Sequence, residues 1–429
     1  MFIHQHDNWP NFCWEQSKIA LLLDDCAREQ GRLLGRLATL GFDSKLNTMA
    51  ENMVHDLVQS SEIEGITLNP DDVRSSIAKH LGIADALCRA SSRHIDGIVA
   101  VMLDAVEHYD QPLTAAKLCA WQSVFFPTGF SSGHPIEVGK FRTHAEHVVS
   151  GVLGHERVHY IAPAPERVPQ EMHRFIDWFN GPQSTSAIIS SAIAHLWLVT
   201  IHPFEDGNGR LARILGEVML ARADGSPLRF YNMSSVINQD KRHYYDVLEH
   251  TQRGNGDITE WLEWYLMKLK ISLQQAQATI SRVLAKSWFW MRARAVPLTE
   301  RQVATLNRFL DGYEAKITTK RWAEMNKCST DTANRDIRDL EQKGLLVKDT
   351  PGAKRPSYSI VYSDSDDLAD RFSQVAVAED EGTWWLTALL DGTTQVSEQV
   401  SALDAQRFTS GDLPEQHLLS KYCSHLIKK

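Results

Sequence analysis

Apolar residues recur at helical spacing through most of the first 290 residues. Two such stripes flank residue 205, and their members are Ile188, Ile189, Ala192, Ile193, Leu196 and Val199, then Leu211, Ile214, Leu215 and Met219. Recurrence every three or four residues predicts a helix. Similar patterns predict helices over 14–40, 45–64, 73–83, 94–108, 113–124, 172–180, 241–248, 258–273 and 271–291. The sequence therefore predicts a mainly α protein.

Two β-prone runs interrupt the helical pattern, at residues 147–151 and 157–161, with glycines between them. Runs of this length around a glycine-containing turn predict a β-hairpin. An isolated hairpin is only marginally stable in water unless it packs against something or pairs with another strand. We therefore expect a β-hairpin flap on an otherwise all-helical core.

The pattern changes after residue 297. Shorter helices are predicted at 303–310, 319–325 and 329–342, and two short β-prone runs follow at 345–347 and 358–361. Three helices and a two-stranded hairpin predict a small winged-helix (α+β) domain. After residue 362 the chain turns acidic, and we expect a mixed, helix-like tail to which no role is assigned.

These elements divide the chain into five parts. They are a helical lead-in (1–44), the helical core with its flap (45–275), a helical connector (276–296), the winged-helix domain (297–362) and the tail (363–429). A length of 429 residues agrees with two or three domains, because a single hydrophobic core rarely grows so large.

Composition narrows the class of protein. The chain is 43% hydrophobic and 23% charged, as ordinary globular proteins are. A net charge of −9 argues against a protein that coats nucleic acid, although a local basic patch is compatible with it. Six scattered cysteines form no Cys-x-x-Cys pair and are expected to be reduced. The sequence shows neither a signal-peptide pattern nor a membrane-spanning apolar run, so we expect a cytoplasmic protein without membrane contact.

The loop between the two stripes, residues 201–213, has the composition of an anion-binding site. Gly207 and Gly209 let the backbone approach a phosphate closely, and the second helix begins at once, so its free N–H groups point at the loop. Arg210 and Arg213 lie three residues apart on one helical face and carry the planar fork that suits phosphate oxygens. The loop is therefore predicted to bind phosphate groups.

Asp206 and His202 add two further chemical groups to this loop. A phosphate-bound Mg²⁺ is usually held by one or two carboxylates together with the phosphate oxygens, and Asp206 supplies such a carboxylate. His202 stands at the loop entrance, and an imidazole is able to take a proton from an attacking hydroxyl near neutral pH. A purely structural turn is the weaker interpretation, because base, carboxylate, glycines and arginines occur together in order.

The run from His202 to Arg213 resembles the signature of the Fic family, His-Pro-Phe-x-Asp-Gly-Asn-Gly-Arg-x-x-Arg, at every fixed position. The resemblance implies a protein adenylyltransferase, which moves AMP from ATP to a hydroxyl of a target protein with Mg²⁺. It further implies that His202 activates this hydroxyl, that Asp206 binds Mg²⁺ and that Arg213 meets the γ-phosphate. The phosphate cradle implied by the family consists of Gly207, Asn208, Gly209 and Arg210. Phe204 is expected to be a core anchor.

A second stretch, Ser60-Ser61-Glu62-Ile63-Glu64-Gly65, closes the helix predicted over 45–64. By itself, a carboxylate in a last helical turn is unremarkable. Beside the loop, the pattern Ser-x-x-x-Glu-Gly resembles the inhibitory helix of the Fic family, and this assigns regulatory positions to Ser60, Glu64 and Gly65. A Glu64 carboxylate on Arg213 would occupy the fork that the γ-phosphate needs, so we expect autoinhibition by Glu64.

The resemblance also gives the hairpin a role. In the family a target segment lies along the flap as an added strand, with its Ser, Thr or Tyr hydroxyl towards the histidine. The segment Gly139-Lys140-Phe141-Arg142 resembles the family's approach to this flap. Further ATP contacts are assigned to Val149, Ser150, Gly151, Tyr244, Tyr245 and Gln252. Because adjacent tyrosines on a helix face different ways, we expect one in the pocket and one in the core.

The winged-helix domain has its own candidate surface. Ser329 is expected to cap its third helix. Candidate contacts to DNA or to a protein target are Asn334, Arg335 and Arg338 on this helix and Lys354 and Arg355 in the wing. Between residues 315 and 356, ten Lys and Arg stand against six Asp and Glu. This excess is modest, so DNA contact is less favoured than selection of a protein target or homodimerisation.

Several alternatives stay open at the level of sequence. The same site fits the reverse reaction, removal of AMP from a target, in which Glu64 helps to activate water, or both reactions. The loop reads only phosphates, so a donor of UMP or phosphocholine is also compatible with it. A different class of protein is a winged-helix DNA-binding regulator that uses the core as a nucleotide sensor.

Overall fold

The computed structural model describes residues 1–38, 42–82, 92–131, 133–150, 157–294, 296–310, 313, 315–350, 356–361, 372–380, 383–390 and 394–409. The chain divides into two compact units, residues 1–278 and 279–429. The described residues contain no helix that combines the length and apolarity needed to cross a membrane.

The first unit is mainly helical. Its helices before the loop are α1 (Gln16–Ala38), α2 (Phe42–Ile63), α3 (Pro70–Leu81), α4 (Arg93–Glu107), α5 (Ala115–Phe125), α6 (Val168–Asn180) and α7 (Ala187–Ile201). After the loop come α8 (Asn208–Asp224), α9 (Met233–Gln239), α10 (Lys241–Gln252) and α11 (Thr259–Ala293), which ends in the second unit. The mainly α prediction is confirmed, although α9 was not predicted and α11 is one helix where two segments were expected.

Helix α7 is the centre of this unit. All of its residues from Ile188 to Ile201 are buried, which agrees with its mostly apolar composition. Its first turn is capped by Ser186, whose hydroxyl accepts a hydrogen bond from the Ile189 N–H. Helix α8 packs against α7 and returns from the loop. The loop is therefore held between two helices that the core keeps in place.

Helix α2 carries the segment that was predicted to be inhibitory. It ends at Ile63, and Gly65 has a φ of 76°, the left-handed conformation that glycine adopts without strain. The predicted helix and its glycine stop are thus confirmed. Asn52 ties α2 to the core, since its Nδ2 donates to the carbonyls of Arg229 (3.3 Å) and Tyr231 (3.2 Å).

The described residues between α5 and α6 contain four strands. Strands β1 (Phe130–Ser131) and β2 (His134–Pro135) pair over two residues. Strands β3 (His147–Ser150) and β4 (Arg157–Ile161) pair antiparallel, with Val148 opposite Tyr160. The Tyr160 hydroxyl donates to the Thr200 carbonyl at 2.7 Å, so β4 is fixed to the end of α7. Residues 151–156, with the predicted ATP contact Gly151, lie outside the described residues.

The second unit begins with three helices and a small sheet. They are α12 (Glu300–Leu310), β5 (Ile317–Thr318), α13 (Thr319–Asn326), α14 (Thr330–Gln342), β6 (Leu346–Lys348) and β7 (Ser357–Ile360). The three strands pair antiparallel in the order β5-β7-β6. The Ser329 hydroxyl accepts from the Thr332 N–H at 3.2 Å and caps α14 as predicted. Trp322 lies fully buried at the centre of this core.

The prediction of a helix-like tail was wrong for residues 372–400. This segment forms β8 (Phe372–Asp380), β9 (Thr383–Leu390) and β10 (Thr394–Val400), an antiparallel sheet in the order β10-β9-β8, followed by α15 (Ala402–Thr409). Aromatic and β-branched residues such as Trp385 favour strands. On β9, Trp385 is exposed and its neighbour Leu386 is buried, as expected for successive residues of a strand that point to opposite faces.

The loop between α7 and α8 has two residues in the left-handed region. His202 has a φ of 51° and Gly207 a φ of 91°. A β-carbon added at Gly207 would lie 3.1 Å from Phe126 Cε2 and 3.4 Å from Phe125 Cδ2. Both backbone conformation and crowding therefore require glycine at this position.

We expect Gly207→Ala to lower the free energy of unfolding by about 1–3 kcal/mol, because a left-handed non-glycine residue is strained and the added methyl meets two rings. Urea unfolding followed by circular dichroism measures this. Gly216→Ala, within α8, is the matched control. A β-carbon added at Gly216 would meet only ordinary contacts, so this substitution should leave the free energy of unfolding unchanged or higher. Equal effects of the two substitutions would contradict the strain at Gly207.

A buried ionic cluster joins α8 to the segment before α9. Arg229 Nε donates to Glu217 Oε2 at 2.8 Å, and its Nη1 binds Asp224 and the Tyr231 hydroxyl. Burial raises the pKa of Glu217 to about 7, although Arg229 opposes the shift. Burial also raises the pKa of Asp56 on α2, which lies close enough to act on Glu217. The cluster is therefore sensitive to pH.

Folding raises the pKa of Glu217 from 4.5 to about 7, so the folded state binds a proton at this group more tightly than the unfolded state does. The resulting contribution to the free energy of unfolding is fully present below pH 4.5 and is lost as the pH rises towards 7. We expect the stability of the native chain, relative to Glu217→Gln, to fall by up to about 3 kcal/mol over this range. Urea unfolding at pH 5 and pH 7 measures the difference. Parallel pH dependences of the two proteins would contradict the assignment.

Candidate active site

The loop is braced by Asn208, the first residue of α8. Its Oδ1 accepts from the Phe204 N–H at 3.0 Å and its Nδ2 donates to the Phe204 carbonyl at 2.7 Å. Phe204 is fully buried against Phe141, so its prediction as a core anchor is confirmed. The side chain of Asn208 therefore shapes the loop, and the free backbone N–H groups of the first α8 turn are left for an anion.

Arg210 is a buried cation with unused donors. Only 4% of its surface is exposed, and its guanidinium lies 4.5 Å and 4.8 Å from the ring centroids of Phe125 and Phe126. Within the described part of the chain, its Nε and Nη1 have no hydrogen-bond partner. Burial lowers the pKa of Arg210, although Asp206 and Glu64 oppose this. Such a group is satisfied by an anionic ligand.

Arg213 meets the end of α2. Its Nη2 lies 2.7 Å from Glu64 Oε1 and 3.0 Å from the Ser60 carbonyl, and its Nε donates to the Ser60 hydroxyl at 2.9 Å. Burial opposes the charge of Arg213, but Glu64 outweighs it and raises the pKa of the guanidinium. Its Nη1 lacks a hydrogen-bond partner among the described residues. The structure thus brings together Ser60, Glu64 and Arg213.

Glu64 also lies against the loop itself. A β-carbon added at Gly209 would collide with Glu64 Oε1, so the carboxylate covers the backbone at the start of α8. The turn at Gly65 sets this position, because the Ile66 N–H reaches back to the Ser61 carbonyl at 2.9 Å. Glu64 therefore occupies space at the N-terminus of α8, where a phosphate would approach.

His202 is oriented as a base. Its Nδ1 lies 3.3 Å from the Val199 carbonyl, which only accepts hydrogen bonds, so Nδ1 carries the proton and Nε2 keeps its lone pair. Burial lowers the pKa of His202 to about 4, with the Val199 carbonyl opposing the shift. The imidazole is therefore neutral at physiological pH and able to accept a proton.

Arg142 is a site residue that the sequence did not single out. This buried side chain donates to the carbonyls of His202 (2.7 Å), His144 (2.8 Å) and Pro163 (2.6 Å), and its N–H donates to the Pro203 carbonyl at 2.9 Å. It therefore fixes the left-handed turn at His202 to the segments on both sides of β3 and β4. The only sequence signal was its place in the segment that approaches the hairpin.

Both carboxylate oxygens of Asp206 accept hydrogen bonds, one within the loop and one from β1. Oδ1 accepts from the Gly207 N–H at 2.5 Å, and Oδ2 accepts from the Ser131 hydroxyl. A single carboxylate beside a phosphate site is a suitable donor for Mg²⁺, which takes its remaining ligands from phosphate and water. The donor chemistry at Asp206 therefore fits Mg²⁺ once a nucleotide supplies further oxygens.

The predicted contacts on α10 separate into two groups. Tyr244 is buried, and its hydroxyl lies 2.9 Å from His195 Nε2. Tyr245 is 42% exposed, and its hydroxyl donates to the Ile63 carbonyl at 3.4 Å. The structure thus places one tyrosine in the core and the other beside the end of α2. Gln252 is buried, and its Nε2 lies 3.3 Å from the Thr200 hydroxyl, so it braces α7.

The remaining predicted residues lie elsewhere. Val149 is 48% exposed on β3, and Ser150 is bonded to His159 rather than to the loop. In the second unit, Arg335 and Arg338 are exposed on α14. Asn334 accepts from the Thr319 hydroxyl at 2.8 Å, and Lys354 and Arg355 lie outside the described residues.

Two family models match separate parts of the chain. Residues 2–83, which contain α1, α2 and α3, match a domain of unknown function, DUF4172. Residues 112–220, from the start of α5 through the loop and most of α8, match the Fic/DOC family. Glu64 therefore lies in the region that matches DUF4172, and the loop lies in the region that matches the Fic/DOC family.

Individual relatives match about 30% of the chain. A protein adenylyltransferase Fic from Nematostella vectensis is 35% identical over 135 residues, which are 30% of this chain and 27% of that protein. One from Culex quinquefasciatus is 38% identical over 128 residues, 29% of this chain and 22% of that protein. The chain thus spans about a quarter of the length of these relatives.

Among solved structures, a Fic family protein from Desulfovibrio desulfuricans G20 aligns with a TM-score of 0.47 and 20% identity, over 80% of this chain and 96% of that one. The family match over residues 112–220 contains the complete loop signature, and the named relatives align with the chain at 35–38% identity. Residues 112–220 of this chain therefore form a Fic/DOC family domain.

Proposed function

We propose that this chain transfers AMP from ATP to a serine, threonine or tyrosine hydroxyl of a target protein, and that Glu64 restrains the transfer. The observation that carries the proposal is the pair of buried guanidinium groups. Arg210 keeps two nitrogens without partners among the described residues, and Arg213 keeps one while Glu64 takes another. Buried cations with free donors at a helix N-terminus are suited to a polyphosphate.

The chain's own residues account for the position of the nucleotide. The α8 N-terminus and Arg210 would hold phosphate oxygens, and Tyr245, which is 42% exposed, is the residue that the family resemblance assigns to the adenine side. Mg²⁺, held by Asp206 and the phosphates, would neutralise charge on the phosphate groups. Catalysis is then mainly positioning and charge stabilisation, since transfer of a phosphoryl-type group requires little else.

His202 acts as the general base. Its Nε2 accepts the proton of the target hydroxyl while the oxygen attacks the α-phosphorus, and pyrophosphate leaves. The Nδ1 contact to Val199 keeps the correct tautomer, and Arg142 keeps the turn in place. The lowered pKa of His202 means that no proton has to be removed from the imidazole before the reaction at neutral pH.

The hairpin supports docking of the target in extended form. Strands β3 and β4 form a two-stranded sheet, and most of the β3 side chains are exposed. A target segment that pairs with a free edge gains backbone hydrogen bonds without a specific side-chain sequence. Tyr160 and Arg142 both connect this hairpin to the turn at His202, so a docked hydroxyl would be held in a fixed relation to the base.

We also infer that residues 297–361 form a winged helix. The order helix, strand, helix, helix, strand, strand and the sheet order β5-β7-β6 support this. Exposed Arg335 and Arg338 on α14 are compatible with contact to a partner. A protein partner is preferred to DNA. Asn334 is one of the three predicted contact residues on α14, and its side-chain oxygen already accepts a hydrogen bond from Thr319.

We expect Glu64→Gly to raise the transfer of label from α-labelled ATP to protein about 10- to 100-fold. This range corresponds to the roughly 1.5–3 kcal/mol that hydrogen bonds to charged groups contribute. Adding His202→Ala should reduce the rate about 100- to 10,000-fold, as loss of a general base does. The measurement is incubation of the full chain with ATP and Mg²⁺, followed by counting label on separated protein bands.

Glu62→Gly is the matched control, because Glu62 lies on the same helical turn but binds Gln59 and Asn238 instead of Arg213. It should leave the rate near that of the native chain. If the Glu64→Gly protein binds ATP but no protein becomes labelled, the proposal that this chain transfers AMP is wrong. If Glu62→Gly activates as strongly as Glu64→Gly, the restraint does not act through Arg213.

A further inference from the structure

Three side chains form a hydrogen-bonded chain between the β3–β4 hairpin and α10, and we call it the hairpin relay (Ser150, His159 and Glu249). Ser150 Oγ lies 2.5 Å from His159 Nε2, and His159 Nδ1 lies 2.5 Å from Glu249 Oε2. An ionised carboxylate only accepts hydrogen bonds, so Nδ1 carries the ring proton. The lone pair of Nε2 therefore faces the serine hydroxyl.

This arrangement is that of an activated hydroxyl. A nucleophile bonded to an imidazole, whose other nitrogen is oriented by a carboxylate, can lose its proton as it attacks. Partial burial opposes the ionisation of Glu249, but hydrogen bonds from His159 and Arg157 lower its pKa. Glu249 is further fixed by Arg157 Nη2 at 2.9 Å and Arg253 Nε at 3.1 Å. The orienting carboxylate is thus ionised and rigidly held.

Exposure to solvent increases along the relay from Glu249 through His159 to Ser150. The side chains of Glu249 and His159 are 15% and 25% exposed, whereas Ser150 is an exposed residue of β3. The base and its carboxylate are therefore partly shielded from water, while the hydroxyl is open to a reacting group.

Helix α10 carries both the carboxylate of the relay and Tyr245, which contacts the end of α2. Glu249 follows Tyr245 by four residues on α10, which is about one helical turn and roughly 6 Å along the axis. The Tyr245 hydroxyl donates to the carbonyl of Ile63, the residue before Glu64. Because Glu64 binds Arg213, helix α10 connects the carboxylate of the relay, through Tyr245, to the segment that covers the phosphate site.

We propose that Ser150 is itself a site of covalent modification and takes up AMP from ATP bound at the phosphate site. The inference rests on the proposed function, which supplies the donor. The Ser150 Oγ forms a bond to the α-phosphorus, and the bond from this phosphorus to the oxygen that bridges to the β-phosphate breaks. The serine proton passes to His159 Nε2, and pyrophosphate leaves with the electron pair of the broken bond.

The chain offers matched controls for both parts of the relay. Thr143 carries another hydroxyl beside a histidine, with Thr143 Oγ1 3.2 Å from His144 Nδ1, but the arrangement differs from that of the relay. The Thr143 hydroxyl donates to Glu137 Oε2 at 3.1 Å, and Glu205 Oε1 lies 3.6 Å from the same His144 nitrogen that faces the threonine. His250 and Glu260 form another close pair, with Nδ1 2.5 Å from Oε2, at the surface. These groups separate activation by the relay from the general effects of a hydroxyl or of a histidine–carboxylate pair.

The experiment uses the full chain with Glu64→Gly, incubated with ATP and Mg²⁺, digested with trypsin and examined by mass spectrometry. Cleavage after Arg142 and Arg157 releases residues 143–157, in which Thr143 and Ser150 are the only hydroxyl side chains. We expect one adenylate on Ser150 and none on Thr143. Adding His159→Gln should lower the rate of modification at Ser150 about 100-fold or more, whereas His250→Gln should leave it unchanged.

Every outcome decides the proposal. Adenylate on Ser150 that depends on His159 supports it, and Ser150→Ala should remove the signal from this peptide. Equal modification in the His159→Gln protein, with unchanged thermal melting, overturns activation by the relay. Adenylate on other residues or on an added protein, with Ser150 unmodified, overturns the inference and leaves the proposed function intact. Absence of adenylate on any protein, with ATP still bound, overturns both.

Discussion

The burial of two positive charges is the constraint on which the rest of the site depends. Arg210 and Arg213 both lie 96% out of contact with water, and an unpaired buried cation is costly. The protein lowers this cost in two different ways. Arg210 lies over the faces of two aromatic rings, which attract a cation without using its hydrogen-bond donors. Arg213 is paired with a carboxylate from another part of the chain. Both solutions leave guanidinium nitrogens without partners among the described residues, and both groups stand at the start of α8, where the helix dipole also favours an anion.

These charges act at a defined place only because the loop between α7 and α8 has a fixed shape. A left-handed His202 is unusual for a residue with a β-carbon, and Arg142 compensates by binding the carbonyls on both sides of the turn. The Asn208 side chain likewise fixes the loop, because it accepts a hydrogen bond from the Phe204 N–H and donates one to the Phe204 carbonyl. Local hydrogen bonds thus hold a conformation that backbone preference opposes. The same bonds connect the base to the hairpin, since Arg142 also binds the carbonyls of His144 and Pro163.

The sequence predicted the parts of this structure that depend on neighbours along the chain. The helices around the loop, the glycine stop at Gly65 and the cap at Ser329 follow from local spacing and side-chain chemistry, and the loop signature gave the family. Contacts between distant segments were not predictable in this way. Arg142 is an ordinary arginine until the fold brings four carbonyls to it, and His159 and Glu249 are 90 residues apart. The sheet over residues 372–400 was not predicted, because the acidic residues around 364–381 are typical of a solvent-exposed segment, and the pairing of its strands depends on contacts between separate segments.

The way α2 is attached limits how a restraint by Glu64 is relieved. Asn52 binds two carbonyls of the segment before α9, and Ser60 holds Arg213 through both its hydroxyl and its carbonyl. Moving the whole helix would break these contacts and expose the core residues of α2, such as Met53 and Leu57. Glu64, by contrast, lies just beyond the last helical residue, and its side chain is 27% exposed. Rotation of this one side chain removes the carboxylate from Arg213 Nη2. It breaks only the Glu64–Arg213 ion pair and leaves the bonds from Ser60 in place. Within the proposed function, a competing anion on Arg213 is therefore sufficient to displace the carboxylate while α2 stays in place.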